Sequence, residues 1–287
     1  MRHRDEQWAR DNFTERYQVP CCGAPELVEQ QVIGSVWGAN GYTTRAQADE
    51  LLARLDLSPG MRLLDLGAGR GWPGLYLAEQ SGCSVVLADL PYDGLATAVA
   101  TAGDRGLAAQ ASAIVASARH LPLRRATFDA VVHTDVLCCL AAKRTVLTAT
   151  RRALRPGGRT AFYWIYVPRG LPPRERRRAL AAAPKYAWSL SNVAQLMRSA
   201  GFVDIETLDC TDQFAQTMRA WHDRSEELAD ELIAVISREV FEERQSDRRA
   251  ALAAIEAGVQ RRELIVGSAR TRTVAPRSAE ERERGGG

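Results

Sequence analysis

The stretch Leu63-Leu64-Asp65-Leu66-Gly67-Ala68-Gly69-Arg70-Gly71-Trp72-Pro73-Gly74 decides the fold. With Arg62, its opening reads as a buried strand over Arg62–Leu66. Gly67, Gly69 and Gly71 then turn the chain sharply, as residues without a Cβ do at least cost, and leave the backbone open to a ligand. A helix over Trp72–Gln80 follows, with Pro73 in the first turn, where its missing N–H costs nothing. The free N–H groups and positive end of such a helix suit an anionic group.

Two ligands compete for this turn. Gly69-x-Gly71-x-x-Gly74 matches the dinucleotide fingerprint, and Asp89 follows Gly69 by 20 residues, as that fingerprint expects. Read from two residues before Gly67, Asp65-x-Gly67-x-Gly69-x-Gly71 places a carboxylate in the strand before the turn. That charge repels a pyrophosphate and attracts a cationic amino group. A ligand with an ammonium, a sulfonium, a ribose and an adenine, S-adenosylmethionine, suits Asp65 and Asp89 together.

Outward from the turn, apolar runs alternate with helical segments. Strands are expected at Ser84–Asp89, Ala113–Ala116, Phe128–His133, Arg159–Val167 and Val203–Leu208, with a last one at Glu263–Ser268. Helices are expected around Leu95–Ala102, Ala141–Leu154 and Ser189–Ser199, and along most of Asp212 to Gln260. Such alternation means parallel strands with right-handed crossovers. Residues 1–58 read as mostly helical, with Thr43 or Thr44 capping the segment AQADELLARL. The tail from 271 to 287 has few apolar residues and is expected to be disordered.

Composition narrows the class. The 287 residues are 46% hydrophobic and 25% charged, ordinary globular values that exclude a fibrous repeat or a disordered chain. The net charge of +3 is too small for a dedicated nucleic-acid surface. Of the 38 basic residues, all but Lys143 and Lys185 are arginine, as a high-GC codon bias produces. The six cysteines form no CxxC and show no zinc spacing, and adjacent pairs such as Cys138-Cys139 read as small core residues. The charged start, MRHRDEQWARD, is unlike a signal peptide, and no run approaches a membrane span. A cytoplasmic protein with free thiols is expected.

Four motifs in order resemble the class I S-adenosylmethionine-dependent methyltransferases, in particular the small-molecule group that contains the ubiquinone/menaquinone C-methylation enzymes. LLDLGAGRG resembles the family's first motif, and VVLADL its second, whose acid binds the ribose hydroxyls. HLPLRRATFDAVV resembles the stretch leading into the fourth strand, and RRALRPGGRTAF the turn before the fifth. The resemblance implies an α/β fold: a Rossmann-like doubly wound seven-stranded sheet with an antiparallel last strand. N-terminal helices (1–58) and a helical insertion at about 212–260 would be added to a cofactor-binding domain over 59–270. It also implies that Asp65, Gly67, Ala68, Gly69, Asp89, Leu90, Ser117, Ala118 and His133 bind the cofactor. Where the family often has Asp-Ala, this chain has Ser117-Ala118, an uncharged partner for the adenine.

Ligands of open parallel sheets sit at the carboxyl ends of the strands. His133, at the end of the fourth strand, has the pKa range of a general base, and Asp135 follows in the same loop. The bland reading of His133 is a packed, hydrogen-bonded residue. The aromatics Tyr17, Trp37, Tyr42 and Tyr166 are candidates for contact with an apolar or aromatic acceptor, and the run from Arg174 to Arg178 for attraction of an anionic one. The expected activity is O- or C-methylation of a small molecule of secondary metabolism, by a monomer or homodimer with no metal, nucleic acid or membrane partner. N-methylation of a small amine, or cofactor binding without transfer, is the alternative.

Overall fold

The computed structural model describes residues 4–271 of the chain, with the side chains of Arg4 and Asp5 left aside. Most of the expected tail, 272–287, lies outside the described residues. Seven strands, β1 (Arg62–Leu66), β2 (Ser84–Asp89), β3 (Ala111–Val115), β4 (Phe128–Thr134), β5 (Leu154–Tyr166), β6 (Phe202–Asp209) and β7 (Arg261–Ala269), form one sheet. Their order is β3-β2-β1-β4-β5-β7-β6. The first five strands are parallel, and β7 runs antiparallel to both β5 and β6. This is the expected doubly wound sheet with its antiparallel last strand. β5 begins five residues earlier than the sequence predicts, taking in the Pro156-Gly157-Gly158 turn.

Alternation along each strand divides the core into two layers. Leu63, Val132, Tyr163 and Leu264 face helices α3 (Arg45–Leu55), α4 (Gly74–Ser81) and α5 (Tyr92–Asp104). Their neighbours Leu64, Val131, Phe162 and Ile265 face α6 (Lys143–Ala153) and α8 (Val193–Ala200). The α3 helix opens on a capping box: Thr44 Oγ1 accepts from Gln47 N, and Gln47 Oε1 accepts from Thr44 N.

A third apolar cluster lies over the carboxyl edge of the sheet. It joins Cys138, Ile165 and Val167 to α7 (Pro173–Ala182), α9 (Thr211–Glu227) and α11 (Arg238–Glu256). The helical stretch expected over 212–260 is three helices, because α10 (Ala229–Ile236) is set off by breaks at Leu228 and at Ser237, whose φ is 69°. Across the cavity from these helices run α1 (Arg4–Tyr17) and α2 (Ala24–Ile33). Among the described residues, no helix is long and apolar enough to cross a membrane.

Candidate active site

The carboxyl edge of the sheet opens into a cavity of about 700 Å³. Backbone forms one end. Gly67, Gly69 and Gly71 have φ of 70°, 52° and 100°, a region that side chains with a Cβ rarely enter. A Cβ on Gly69 would come within 2.9 Å of the Tyr17 hydroxyl, and one on Gly67 would run into Val136. The loop is therefore a cradle that any side chain would fill.

Asp89 closes this end. Its Oδ2 accepts from Gly69 N at 2.7 Å, and its Oδ1 from Leu90 N at 2.7 Å. Tyr17, at the end of α1, donates its hydroxyl to the same Oδ2 at 3.4 Å. Burial pushes the Asp89 carboxyl up to about 6 against the lowering effect of these hydrogen bonds. The Tyr17 phenol is raised well above its usual value by burial and by the Asp89 charge.

The middle of the cavity is built on the loop after β4. Asp135 adopts a left-handed conformation (φ 57°), and its carboxylate is held bidentately by Arg262 of β7, at 3.1 Å from Nε and 2.8 Å from Nη2. Arg262 is wholly buried. It also donates to Thr43 Oγ1 (2.8 Å), Gln47 Oε1 (3.0 Å) and the Tyr42 carbonyl (3.2 Å), with its guanidinium 4.4 Å from the centre of the Tyr163 ring. One side chain thus fastens β7, the β4 loop and the segment before α3 together. A second arginine does the same for the N-terminal segment. Arg70, from the glycine loop, donates to the carbonyls of Arg16 and Val19 and to the Cys21 thiol. Glu29 of α2 accepts from the N–H groups of Trp37, Gly38 and Ala39, which binds the turn that follows.

Several expected site residues line the cavity: Gly67, Ala68, Gly69, Asp89, Leu90, Ala118, Asp135, Tyr17 and Tyr42. Others do not. Asp65 is buried and accepts from Gly74 N at 3.0 Å, so it caps the start of α4 instead of facing a ligand. Ser117 turns its hydroxyl to Glu6. Trp37 packs on Tyr76 beneath the Arg105 guanidinium, and Tyr166 stacks on Trp164 and donates to Glu263.

His133 is the largest correction. Strand alternation points it into the layer opposite Val132, where it stacks on Phe162 at 4.2 Å. It is wholly buried, neither ring nitrogen has a partner among the described residues, and burial pulls its pKa down to about 3. A general base has to reach the proton it abstracts, and His133 reaches none in the cavity. The arginines from 174 to 178 are exposed on α7 and also stay outside it.

Residues 64–162 match the family model of a methyltransferase domain. These residues form a methyltransferase domain. A phosphoethanolamine N-methyltransferase of Triticum aestivum is 28% identical to it over 259 residues, which are 89% of this chain and 50% of the relative. The O-methyltransferase resE of Aspergillus sclerotiorum is 30% identical over 172 residues, 59% of this chain and 65% of the relative. The chain spans about half the length or less of the phosphoethanolamine methyltransferases it matches first. In fold, the domain and its helical additions resemble Haemonchus contortus phosphoethanolamine N-methyltransferase 2, solved with phosphomonomethylethanolamine and S-adenosylhomocysteine. The TM-score is 0.76 at 22% identity, covering 91% of this chain and 60% of that one.

The resemblance implied most of the backbone side of this site. Arg70, Arg262 and Glu29 escaped it, because an arginine in a glycine loop, a charged residue in a strand or a lone glutamate in a helix carries no local signal of a distant partner.

Proposed function

We propose that the protein transfers a methyl group from S-adenosylmethionine to a small-molecule acceptor enclosed between the sheet edge and the helical additions. The observation that carries this reading is the continuity of the cavity, which runs from the glycine loop and Asp89 to a wall made by α1, α2, α9 and α11. Its size lies within the range of small-molecule sites.

The residues present fit the donor. When bound, S-adenosylmethionine supplies a methyl group already activated by a sulfonium. The cradle of Gly67, Ala68 and Gly69 would hold its amino-acid part, and the carboxylate of Asp89 would accept from the ribose hydroxyls. Leu90 and Ala118 would flank the adenine. Asp65 would act at one remove, by fixing the start of α4.

For the acceptor, the chain supplies alignment and exclusion of water, which suffice when the electrophile is already activated. No histidine lines the cavity among the described residues, and Asp135 is committed to Arg262. Tyr17, Tyr42, Cys138 and Cys139 also line it. The segment with α1 and α2, up to residue 42, and the helices between β6 and β7 act as a cap that closes over the acceptor and moves more than the sheet. O- and C-methylation fit an acceptor acidic enough to need no base. N-methylation of a small amine is a second reading, supported by the names of the phosphoethanolamine N-methyltransferases among the relatives.

Calorimetric titration with S-adenosylhomocysteine tests the donor site, and mass-spectrometric screening of phenols, enols and small amines with labelled donor tests the transfer. Binding together with a labelled product is expected. Absence of binding sinks the reading, and binding without any product across the acceptor panel favours a cofactor-binding protein that does not transfer.

A further inference from the structure

One wall of the cavity carries positive charge that no carboxylate pairs with among the described residues, although Arg248 lies over the Trp221 ring and Arg16 over that of Phe13. Arg244 and Arg248 lie one turn apart on α11 and share a face, and Arg16 comes from the last turn of α1; all three line the cavity. None is joined to a carboxylate by an ion pair among the described residues. Arg248 spends Nη1 on Ser225 Oγ (2.8 Å) and Gln245 Oε1 (2.7 Å), which orients the guanidinium; its other N–H groups have no protein acceptor. Arg244 has no hydrogen bond to protein at all among the described residues. Burial brings Arg248 down to about 10, with Arg244 and Arg16 adding to the effect, and it lowers Arg244 with Arg16 and Arg70 nearby. Like charges held together away from water cost stability unless something compensates them.

The nearby acids offset them only in part: Glu226 favours the charged form of Arg248 and Glu243 that of Arg244, but neither forms an ion pair with it. Asp135 is paired with Arg262, Glu29 is spent on three backbone N–H groups, and Asp89 on two more. Glu6 is turned to Ser117 and Arg119, and Glu226 to Gln245 and Arg249. Asp247 reaches the rim from an exposed position. Gln260, on the turn after α11, presents a buried Oε1 with no donor, so the same wall has a place for a ligand hydroxyl or N–H. Tyr42 lines the same cavity, and burial raises its phenol against the lowering effect of Arg16 and Arg248.

We infer that Arg16, Arg244 and Arg248 hold an anionic group of the acceptor, a phosphate or a carboxylate, on the cavity wall made by α1 and α11. The inference rests on reading the cavity as a methyl-transfer site and adds the class of acceptor. A planar guanidinium fork grips two oxygens of such a group at once, which fixes orientation as well as affinity. The acceptor would then be anchored by its charge.

The test is calorimetric titration of the full chain, free and loaded with S-adenosylhomocysteine, using inorganic phosphate in one arm and benzoate in the other. Arg244→Gln and Arg248→Gln are compared with the wild type. At least one of the two anions should bind the wild type, and each variant should weaken that binding about tenfold or more while S-adenosylhomocysteine affinity stays within twofold. The arm that responds identifies phosphate or carboxylate. Should Arg248→Gln fail to fold, Arg244→Gln carries the test, since its side chain makes no hydrogen bond to protein. No uptake of either anion by the wild type, or equal uptake by the variants, overturns the inference. Arginine-dependent anion binding in a protein that ignores S-adenosylhomocysteine would sink the donor reading and, with it, the assignment of the anion to a methyl acceptor, leaving an anion site only.

Discussion

Two walls of the cavity are built on different principles. At the glycine loop a ligand meets main chain: positive-φ glycines, and a carboxylate fixed by the N–H groups of Gly69 and Leu90. All of it comes from the adjacent strands β1 and β2 and the turns after them. On the wall made by the helical additions a ligand meets side chains drawn from opposite ends of the sequence, Arg16 and Tyr42 together with Arg244 and Arg248. A backbone cradle has one shape that a short motif can specify. A side-chain wall depends on how separate helices pack, so neighbouring sequences can keep the first and vary the second. Arg70 and Arg262 are the links between the walls, each anchored in one element and bonded to another.

The largest effect expected is at that link. Arg262→Met leaves Asp135 half-buried with no cation and removes the donors to Tyr42, Thr43 and Gln47. Breaking a buried pair from one side costs about 3–5 kcal/mol, which urea unfolding will read as a lower midpoint. If the two walls are independent, S-adenosylhomocysteine affinity in the folded variant changes much less than stability. An equal loss of affinity would break the comparison.

Gly69→Val attacks the backbone wall alone. The new side chain meets Tyr17 and is strained at φ 52°, so S-adenosylhomocysteine binding should fall by at least about a hundredfold, or about 2.7 kcal/mol. Retention of wild-type affinity in calorimetry would mean that the cradle is wider than its geometry implies.

Asp89 supplies a smaller and pH-dependent effect. Asp89→Ala should weaken S-adenosylhomocysteine by about 1.5–3 kcal/mol. In the wild type the ionised carboxylate is the form that accepts from hydroxyls, and its pKa stands at about 6. Affinity should therefore be level above pH 6 and fall by up to about tenfold for each pH unit below it. A flat profile from pH 7 to pH 5 would remove Asp89 as the ribose partner.

The smallest effect at neutral pH is at His133. His133→Phe keeps the stacking on Phe162 and removes two unpartnered buried nitrogens, so a gain of about 1 kcal/mol is expected, with turnover unchanged. Because the folded pKa is about 3 and the unfolded one about 6.5, the unfolded chain binds the extra proton between them. Wild-type stability then falls as pH drops below about 6.5, by about 1.4 kcal/mol per unit from this site, and the variant lacks that slope. A hundredfold loss of turnover in His133→Phe would restore the catalytic reading drawn from sequence.

His133 shows how far the sequence reaches. Its place at the end of β4 was legible from the apolar run before it. Its direction was not, because a strand sends neighbouring residues to opposite faces, and only the pairing of β4 with β1 and β5 decides which layer each face meets. Asp65 was legible as an acid beside the turn, whereas its service as a cap for Gly74 depends on how α4 returns over β1. Tyr17 and Tyr42 were found as aromatics on a cap, and Trp37 and Tyr166 were chosen on the same ground. What separates the pairs is packing: the first two line the cavity, and the others lie against Tyr76 and Glu263.

By itself, the sequence determined the strands, the glycine cradle and the position of Asp89, and its resemblance to a known family implied the antiparallel last strand. The first three follow from local signals: apolar runs, residues that tolerate positive φ, and an acid at a strand end. Tertiary structure alone decided which charges meet. Arg262 with Asp135, Arg70 with the chain after α1, and the unpaired Arg16, Arg244 and Arg248 are each set by elements far apart in sequence. The energy of a buried charge depends on its surroundings, and those exist only once the helices have closed over the sheet.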